Sequence, residues 1–415
     1  MRDMSNFPSR SPVRTFFVIF LLALMIRIIF LAKAPGQHIL PHDRWEGHAI
    51  ATSLVERGRF ADPYMIPTGP TTHLPPLVPG ITALFWALFG MNIMGGYAAV
   101  LFGFVASSAL CAAMPWFGGQ LGLGRESGVI GGIAGAFIVR WPGNGESLAG
   151  LVLGILMVTF ARRWSSNRYS VVGSLLLGMA CGIVFHLQPV LLAVVLGWLV
   201  FELWHMRKRR HWLYTVSVVF GIIIACVPWT WRNYAVFNEF IFIRGNLGLE
   251  LRMGNHEGAA GAMEVMDAWA EHRHPRTNIE EAMLVREMGE TAYMRKAKQE
   301  ACCWIQSHPL TFLKLTASRA LQFWLGPFHA PLLFFITTII TLLAVIGIFC
   351  ALPGMSLPRR AALLTPLLLY PMIYYVVAYM PRYRVPLDWI LLLLAGVAFW
   401  RWIRSFLSLA PQTKE

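Results

Sequence analysis

Charged residues are scarce in this sequence, and acidic residues are the scarcer kind. Of the 415 residues only 13% are charged, whereas 56% are hydrophobic. A soluble protein of this length could not bury so large an apolar fraction. Several apolar runs approach the roughly 20 residues that cross a lipid bilayer as a helix. The composition therefore excludes an ordinary soluble protein and predicts an all-α polytopic membrane protein.

The shortage of acidic residues leaves a net charge of +14, from 35 basic and 21 acidic residues. The basic residues form clusters beside apolar runs, at 2–14, 162–168, 207–210, 359–360 and 401–404. An excess of Lys and Arg marks the cytoplasmic ends of membrane helices. The clusters thus place both termini in the cytoplasm. They predict no nucleic-acid partner, because aromatic side chains do not alternate with the basic ones.

Cysteine is also rare, with six residues and no CxxC spacing. Four of the cysteines lie in apolar runs, where cysteine is a small packing residue. Cys302 and Cys303 are adjacent, a spacing that does not suit a metal site. The sequence contains no dense acidic cluster either, so we expect no required cofactor. A divalent metal stays possible but has no support in the residues.

Apolar segments are predicted at about 15–32, 76–90, 95–118, 127–140, 147–161, 169–187, 189–204, 212–231, 331–350, 361–380 and 386–403. Counted from the basic clusters, the segments 33–75, 141–146, 186–189, 232–330 and 380–385 lie outside. Between Pro75 and Glu146 the number of crossings must then be even, although three apolar segments fit. The glycine-rich run 127–140 is short, and we predict that it does not span fully.

Three regions follow from this topology. Residues 1–231 form an N-terminal membrane module that contains the first outside loop, 33–75. Residues 232–330 form an extracytoplasmic loop with interfacial helices, and residues 331–415 form the C-terminal membrane helices.

The second long loop divides into three parts. Its first part, RGNLGLELRMGNHEGAAG, is rich in glycine and predicts turns rather than a helix. The stretch 277–308 predicts one helix, with Thr277 and Glu280 at capping-box spacing and Pro309 ending it. The stretch 310–324 mixes basic and large apolar residues, which predicts a helix lying on the membrane surface.

Two carboxylates, Asp43 and Glu46, open a predicted helix over 43–57 in the first outside loop. An Asp at the N-cap with a Glu three residues later is ordinary helix-start chemistry. Carboxylates held at the membrane face are also suited to act as a general base or to bind an acceptor. The local sequence does not separate these roles, and a capping carboxylate keeps one oxygen free.

His73 stands before Pro75 and Pro76 at the entry to the next apolar run. Proline suits the first turn of a helix, which explains the two prolines but not the histidine. A histidine here could donate a hydrogen bond to a phosphate. His73 therefore either belongs to the helix entry or binds substrate.

Later candidates face the same side of the membrane. Glu146 begins an apolar run, where an acid is favoured by the helix dipole and could also face a cavity shared with Asp43. Arg382, Tyr383 and Arg384 lie between two apolar runs on the outer side, where Arg is disfavoured. Arginine binds phosphate oxygens in a fork, although it also anchors helices to lipid headgroups. Asp388 is an alternative partner for Arg384.

These pieces, taken in order, resemble the C-type (GT-C fold) membrane glycosyltransferases, in particular the superfamily of protein O-mannosyltransferases and lipid A aminoarabinose transferases. The matching stretches are HDRWEGHAIATSLVERGRF, THLPPLVPG, GNGESLAGLVLGI, PWTWRNYAVFNEF, GLELRMGN, AKQEACCWIQSHPLTFLKLTASRALQFW and PRYRVPL. The resemblance covers nearly the whole chain. It implies a GT-C-like bundle of about 10–11 membrane segments with extracytoplasmic loop helices.

The resemblance also implies an activity. Enzymes of this family lie in the bacterial inner membrane and move a sugar from a polyprenyl-phosphate carrier to a lipid, glycan or protein acceptor on the outer face. Carried over to this chain, Asp43 is the catalytic-loop acid and Glu146 the second cavity acid, while Arg382 and Arg384 lie in the lipid-phosphate region. Arg44 stands where the protein mannosyltransferases have a second acid. The stretch His-Leu-Gln-Pro at 186–189 lacks the basic residue that the family often has before that proline. The identities of the sugar and the acceptor therefore stay open.

The chemistry agrees with these residue types. A carboxylate in a partly dry cleft can take the proton of an acceptor hydroxyl, which makes Asp43 and Glu146 the catalytic candidates. The leaving phosphate needs fixed cations, which favours the substrate-binding set Glu46, His73, Arg382, Tyr383 and Arg384. The alternatives are a lipid-linked glycan transporter or flippase, a glycan ligase or polymerase, and a non-catalytic scaffold.

Overall fold

The computed structural model is helical throughout the parts of the chain that it describes, which are residues 11–33, 45–138, 145–166, 169–205, 212–262 and 273–409. Within them β-pairing is limited to two isolated bridges, Ala61 with Pro70 and Ala262 with Tyr379. The α-helices are α1 (Pro12–Lys33), α2 (Glu46–Arg57), α3 (Leu77–Phe89), α4 (Ile93–Leu121), α5 (Arg125–Phe137), α6 (Glu146–Ser166), α7 (Val171–Phe185), α8 (Leu191–His205), α9 (Trp212–Phe237), α10 (Leu247–Gly254), α11 (Ile279–Met288), α12 (Glu290–Ser307), α13 (Pro309–Leu325), α14 (Pro331–Ala351), α15 (Leu357–Leu369) and α16 (Val385–Leu409).

Six helices of the described part are long and apolar enough to cross a membrane: α1, α4, α6, α9, α14 and α16, the last counted with the 3₁₀ turn before it (Pro381–Phe406). Helices α3, α7 and α8 are apolar but shorter. Every apolar segment predicted from the sequence contains an α-helix in the described part of the structure, although in 361–380 the α-helix ends at Leu369 and a 3₁₀ helix continues to Tyr375. The predicted class, an all-α polytopic membrane protein, is confirmed. The three-region division stays a prediction.

The glycines of α5 are packing residues. A Cβ at Gly128 or Gly132 would collide with the backbone of α4, and a Cβ at Gly131 would meet the backbone of α16 at Leu392. Because these positions carry no side chain, α5 fits closely between the two longer helices. The short, glycine-rich run therefore reflects close helix packing, the pattern that small residues give in membranes.

Helices α3 and α5 both pack against α4. Helix α5 runs antiparallel to the second half of α4, and Arg27 of α1 joins its last turn to the middle of α4 by bonding the Ala136 carbonyl and Ser107. Helix α3 packs on the first half of α4, with Phe85 and Phe102 at 5.6 Å. The two helices have the same length, 13 residues. This packing does not distinguish which helix fails to cross, and the expectation that 127–140 does not span fully stays a prediction.

Arg163, a basic residue of the cluster 162–168, makes contacts inside the protein. Arg163 binds both carboxylate oxygens of Glu202, at 2.9 and 3.0 Å, and Trp164 and Thr215 donate to the same carboxylate. Glu202 is fully buried. A buried charge needs such complete pairing, so Arg163 and Thr215 tie α6 and α9 to α8 through Glu202.

The second outside loop is more helical than the sequence predicts. The expectation of turns in its glycine-rich part is wrong, because Leu249 and Met253 of α10 are buried and Gly248 lets the helix touch the Met294 carbonyl of α12. The single predicted helix is two helices, broken at Gly289, whose φ of 79° suits glycine.

The predicted cap of that helix is also wrong. Asn278 is the N-cap and accepts a hydrogen bond from the Glu281 amide, whereas the Thr277 hydroxyl donates to the His274 carbonyl. Helix α13 covers the predicted interfacial segment, 310–324, and is amphipathic: Leu315 and Phe323 are buried, while Leu310 is 73% exposed.

Candidate functional site

A cavity of about 620 Å³ lies where both outside loops meet the membrane helices. Trp45 before α2, the start of α3, Glu146 at the start of α6, the turn between α7 and α8, α10 and the segment that enters α16 contribute to its wall. Its polar lining residues include Glu146, Gln188, Arg244, Asn246, Glu250, Arg382 and Tyr383. Its apolar lining residues include Leu187, Val190, Leu192, Leu369, Met372 and Ile373. The cavity is thus amphipathic.

Arg382 is one of the polar lining residues. Its guanidinium lies 5.5 Å from the ring of Tyr383, and it interacts electrostatically with Glu146 and Glu46. Its Nε is buried and has no hydrogen-bond partner among the residues that the structure describes. A buried donor without a partner is costly, so this atom is suited to a ligand that supplies an acceptor.

Tyr383 is held in place by stacking. Its ring lies 4.4 Å from that of Tyr374. The Gln188 amide donates to the Tyr374 hydroxyl at 3.1 Å and to the Tyr370 hydroxyl at 3.0 Å. The aromatic wall of the cavity is therefore fixed from the α7–α8 turn, a link that spans 186 positions of sequence.

Arg384 corrects the expectation for the Arg-Tyr-Arg motif. Only 1% of the residue is exposed, and it does not line the cavity. Its Nε donates to Asp388 at 2.7 Å and its Nη1 to the Trp324 carbonyl at 2.6 Å. Arg382 and Arg384 of the 3₁₀ turn Pro381–Arg384 therefore have different surroundings: Arg382 lines the cavity, whereas Arg384 joins α16 to α13.

Glu46 is the first residue of α2, and the N-cap position belongs to Trp45, so the predicted cap geometry with Glu46 at the third position is wrong. Its Oε1 lies 3.7 Å from His274 Nε2, 3.7 Å from Arg276 Nε and 3.9 Å from His73 Nε2. Burial opposes its ionisation, but these neighbours outweigh that effect and lower the Glu46 pKa from 4.5 to about 2. Glu46 does not line the cavity wall; it joins the two outside loops.

His73 is only 3% exposed and points away from the cavity wall. Its Nδ1 lies 3.0 Å from the Tyr64 hydroxyl, and its Nε2 faces Glu46. Burial lowers the His73 pKa from 6.5 to about 3, despite the nearby Glu46 carboxylate. The imidazole is therefore neutral at pH 7 and is not placed to bind a phosphate. Its backbone carbonyl instead accepts a 2.8 Å hydrogen bond from Arg244.

Glu290 fixes the same loop and was missed by sequence reasoning. Its carboxylate accepts hydrogen bonds from the hydroxyls of Thr71 and Thr72 and from the Thr72 amide. Burial raises its pKa above the usual 4.5. Arg232 adds hydrogen bonds to the carbonyls of Thr71 and Phe60. The second loop thus holds the residues just before His73 in place.

Asp43 lies outside the described residues, and its role as catalytic-loop acid stays a prediction. Trp45, two residues later, lines the cavity, and so does Glu146, the predicted second acid. Within the described ranges no group of three His, Cys, Asp or Glu side chains could hold a metal ion. The expectation that no metal is required stays a prediction.

Arg244, Asn246 and Glu250 are further cavity residues that the sequence did not reveal. Arg244 Nη2 and Asn246 Nδ2 both donate to Glu250 Oε1, at 3.0 and 2.8 Å. All three lie in the stretch RGNLGLELRMGNHEGAAG, whose glycines suggested turns. The structure brings these residues together with Glu146, Arg382 and Tyr383, and leaves Arg384 and the side chains of Glu46 and His73 behind the wall.

No protein-family model matches the chain, and no curated protein matches it. Among solved structures, the archaeal oligosaccharyltransferase AglB from Archaeoglobus fulgidus, in complex with an inhibitory peptide and a dolichol-phosphate, matches 99% of this chain and 53% of AglB, with 14% identity and a TM-score of 0.56. The chain therefore spans about half the length of AglB.

A second match, ArnT from Cupriavidus metallidurans bound to undecaprenyl phosphate, covers 94% of this chain and 77% of ArnT, with 14% identity and a TM-score of 0.33. An overlap of that quality carries no argument. The AglB match, at its low identity, shows the fold alone. The chain is a multi-pass helical membrane protein with the GT-C fold, as the sequence resemblance predicted.

Proposed function

We propose that this protein is a glycosyltransferase that moves a sugar from a polyprenyl-phosphate carrier to a hydroxyl of a lipid, glycan or protein acceptor on the extracytoplasmic face of the bacterial inner membrane. The single observation that carries the proposal is the amphipathic cavity, whose wall contains two arginines and two carboxylates as well as aliphatic side chains. A polyprenyl-phosphate sugar likewise combines a charged phosphate and a polar sugar with an apolar chain. The fold match to AglB, solved with a dolichol-phosphate, supports this substrate class.

The donor would contact both the apolar and the polar side chains of the cavity wall. The aliphatic lining residues, such as Val190 and Ile373, suit the first isoprene units of the carrier, because apolar surface is buried there without a polar cost. Arg382 and Arg244 also line the cavity and suit the phosphate, since a guanidinium binds two phosphate oxygens at once. These fixed cations also stabilise the negative charge that builds up on the leaving phosphate.

The transfer step needs a base beside that phosphate. The acceptor oxygen attacks the anomeric carbon, the bond from that carbon to the phosphate oxygen breaks, and the acceptor proton passes to a carboxylate. The carrier leaves as a phosphate monoester that needs no proton, and no metal is required in this scheme. Asp43 is our candidate base, because it precedes the cavity residue Trp45 by two positions, and Glu146 is the second acid.

The other predicted residues take supporting roles in this proposal. Tyr383 contacts the substrate from the cavity wall. Glu46 and His73 position the first loop, and Arg384 positions the segment that carries Arg382. Both termini lie in the cytoplasm, as the basic clusters indicate.

The proposal is tested with purified protein reconstituted in liposomes. Undecaprenyl phosphate carrying radiolabelled glucose, mannose or xylose is supplied with envelope fractions from cells that lack the gene. We expect wild-type protein to move label from at least one donor into the envelope fraction and to release undecaprenyl phosphate, while Arg382→Ala does neither. No label transfer from any donor, or equal transfer by Arg382→Ala, would contradict the proposal.

A further inference from the structure

Glu250 occupies an unusual place for a cavity that binds a phosphate. Its side chain is 25% exposed and lines the cavity beside Arg244, which is 29% exposed. A carboxylate at this position repels a phosphate and weakens its binding. Its presence therefore suggests that it contacts a different part of the substrate.

The Glu250 carboxylate is fixed in position, and only one of its two oxygens accepts hydrogen bonds from the described residues. Helix α10 is fixed against α12 at Gly248, and the buried Leu249 precedes Glu250 directly. Both of its side-chain hydrogen bonds, from Arg244 and Asn246, go to Oε1. Within the described ranges Oε2 accepts no hydrogen bond. One oxygen is held by the protein and the other is available to a ligand.

Arg244 can change partners without leaving its place. Its Nε is anchored on the His73 carbonyl at 2.8 Å, while Nη2 holds Glu250. A phosphate would draw Nη2 toward itself, because a second anion competes for the same donor. Glu250 would then keep Asn246 and expose both oxygens more fully to the cavity.

The connectivity of the donor decides what lies next to Glu250. The sugar is joined to the phosphate through one oxygen, so a group that neighbours a phosphate-binding arginine also neighbours the sugar ring. We propose that Glu250 is the specificity-determining residue for the donor sugar, whose hydroxyl groups donate hydrogen bonds to its carboxylate. This inference rests on the proposed function and adds the residue that distinguishes a sugar-bearing carrier from the bare carrier.

The test compares the affinity of purified protein for two kinds of probe: undecaprenyl phosphate, and undecaprenyl phosphate that carries glucose, mannose or xylose. We expect wild-type protein to prefer one sugar-bearing probe. Glu250→Gln should weaken that binding about tenfold, because the acceptor loses its charge, and Glu250→Ala should weaken it further, because the acceptor is removed. Binding of undecaprenyl phosphate alone should stay equal or tighten, since Arg244 is released from its ion pair.

The matched control is Glu239→Gln, which breaks an exposed ion pair with Arg295 outside the cavity and should change neither affinity. An unchanged preference in both Glu250 variants overturns the inference. So does an equal loss for both probes, which would make Glu250 a structural support, or a wild type that binds the carrier without preferring any sugar. A wild-type protein that binds neither probe contradicts the proposed function itself.

Discussion

The two arginines of the Arg-Tyr-Arg motif should fail in different ways when each is replaced by alanine. Arg384→Ala removes a buried side chain that binds Asp388 at 2.7 Å and the Trp324 carbonyl at 2.6 Å. Breaking a buried ion pair costs about 3–5 kcal/mol. Asp388 keeps 18% of its side chain exposed, which places the cost at the lower end, about 3 kcal/mol.

That loss converts to a small but measurable shift in melting temperature. With about 2.1 cal/mol/K of unfolding entropy per residue over a chain of this length, about 3 kcal/mol lowers the melting temperature by about 3 °C. Arg382→Ala removes the contact with the Tyr383 ring, worth about 0.5–1 kcal/mol, whereas its Nε has no partner among the described residues, so its melting temperature should fall by no more than about 1 °C.

The assay measures thermal unfolding in detergent and donor transfer for both variants. We expect Arg384→Ala to melt earlier and to keep some transfer, and Arg382→Ala to melt normally and to lose transfer. Arg384→Lys should recover part of the stability, because an ammonium group can still reach Asp388 but cannot also serve the carbonyl. Normal stability of Arg384→Ala together with loss of transfer would refute the assignment and return Arg384 to the phosphate.

Three further predictions address the outside loops. Asp43→Asn should fold normally, because the N-cap of α2 is Trp45 and Asn has nearly the size of Asp, and should transfer sugar about 10²–10⁴ times more slowly; an unchanged rate would remove Asp43 as the base. Glu46→Gln should lower the melting temperature by leaving Arg276 without its carboxylate, yet keep donor affinity; normal stability with lost affinity would restore a substrate role. Stability should fall as the pH drops from 6.5 toward 3, because His73 is protonated in the unfolded chain but stays neutral in the folded protein, where its pKa is about 3. Glu46 should extend the loss from pH 4.5 to about 2, because its pKa is likewise lower in the folded protein. Each group contributes at most about 1.4 kcal/mol per pH unit, and a melting temperature that stays flat between pH 6.5 and 4.5 contradicts this.

Local sequence was enough to predict the membrane helices, because about 20 apolar residues in a row have few other stable states. It also singled out Glu146 and Arg382, which line one cavity in the structure. It failed at α10, where burial of Leu249 and Met253 outweighs the low helix propensity of the glycines.

Local sequence could not separate Arg382 from Arg384, because the direction of each side chain depends on partners elsewhere in the chain. The Trp324 carbonyl is 60 positions from Arg384, and Thr71 is 219 positions from Glu290. Glu250 escaped notice for the same reason, since its place in the wall becomes visible only when the two outside loops meet.

The measurement that tests the central claim most directly is the affinity of purified protein for undecaprenyl phosphate, determined by native mass spectrometry. The wild-type chain and Glu239→Gln should each hold one lipid with equal affinity. Arg382→Ala should bind it at least about tenfold more weakly, because charge-assisted hydrogen bonds to the phosphate are lost. If wild-type protein holds no lipid, or if Arg382→Ala holds it equally well, the cavity is not the carrier site and the account is contradicted.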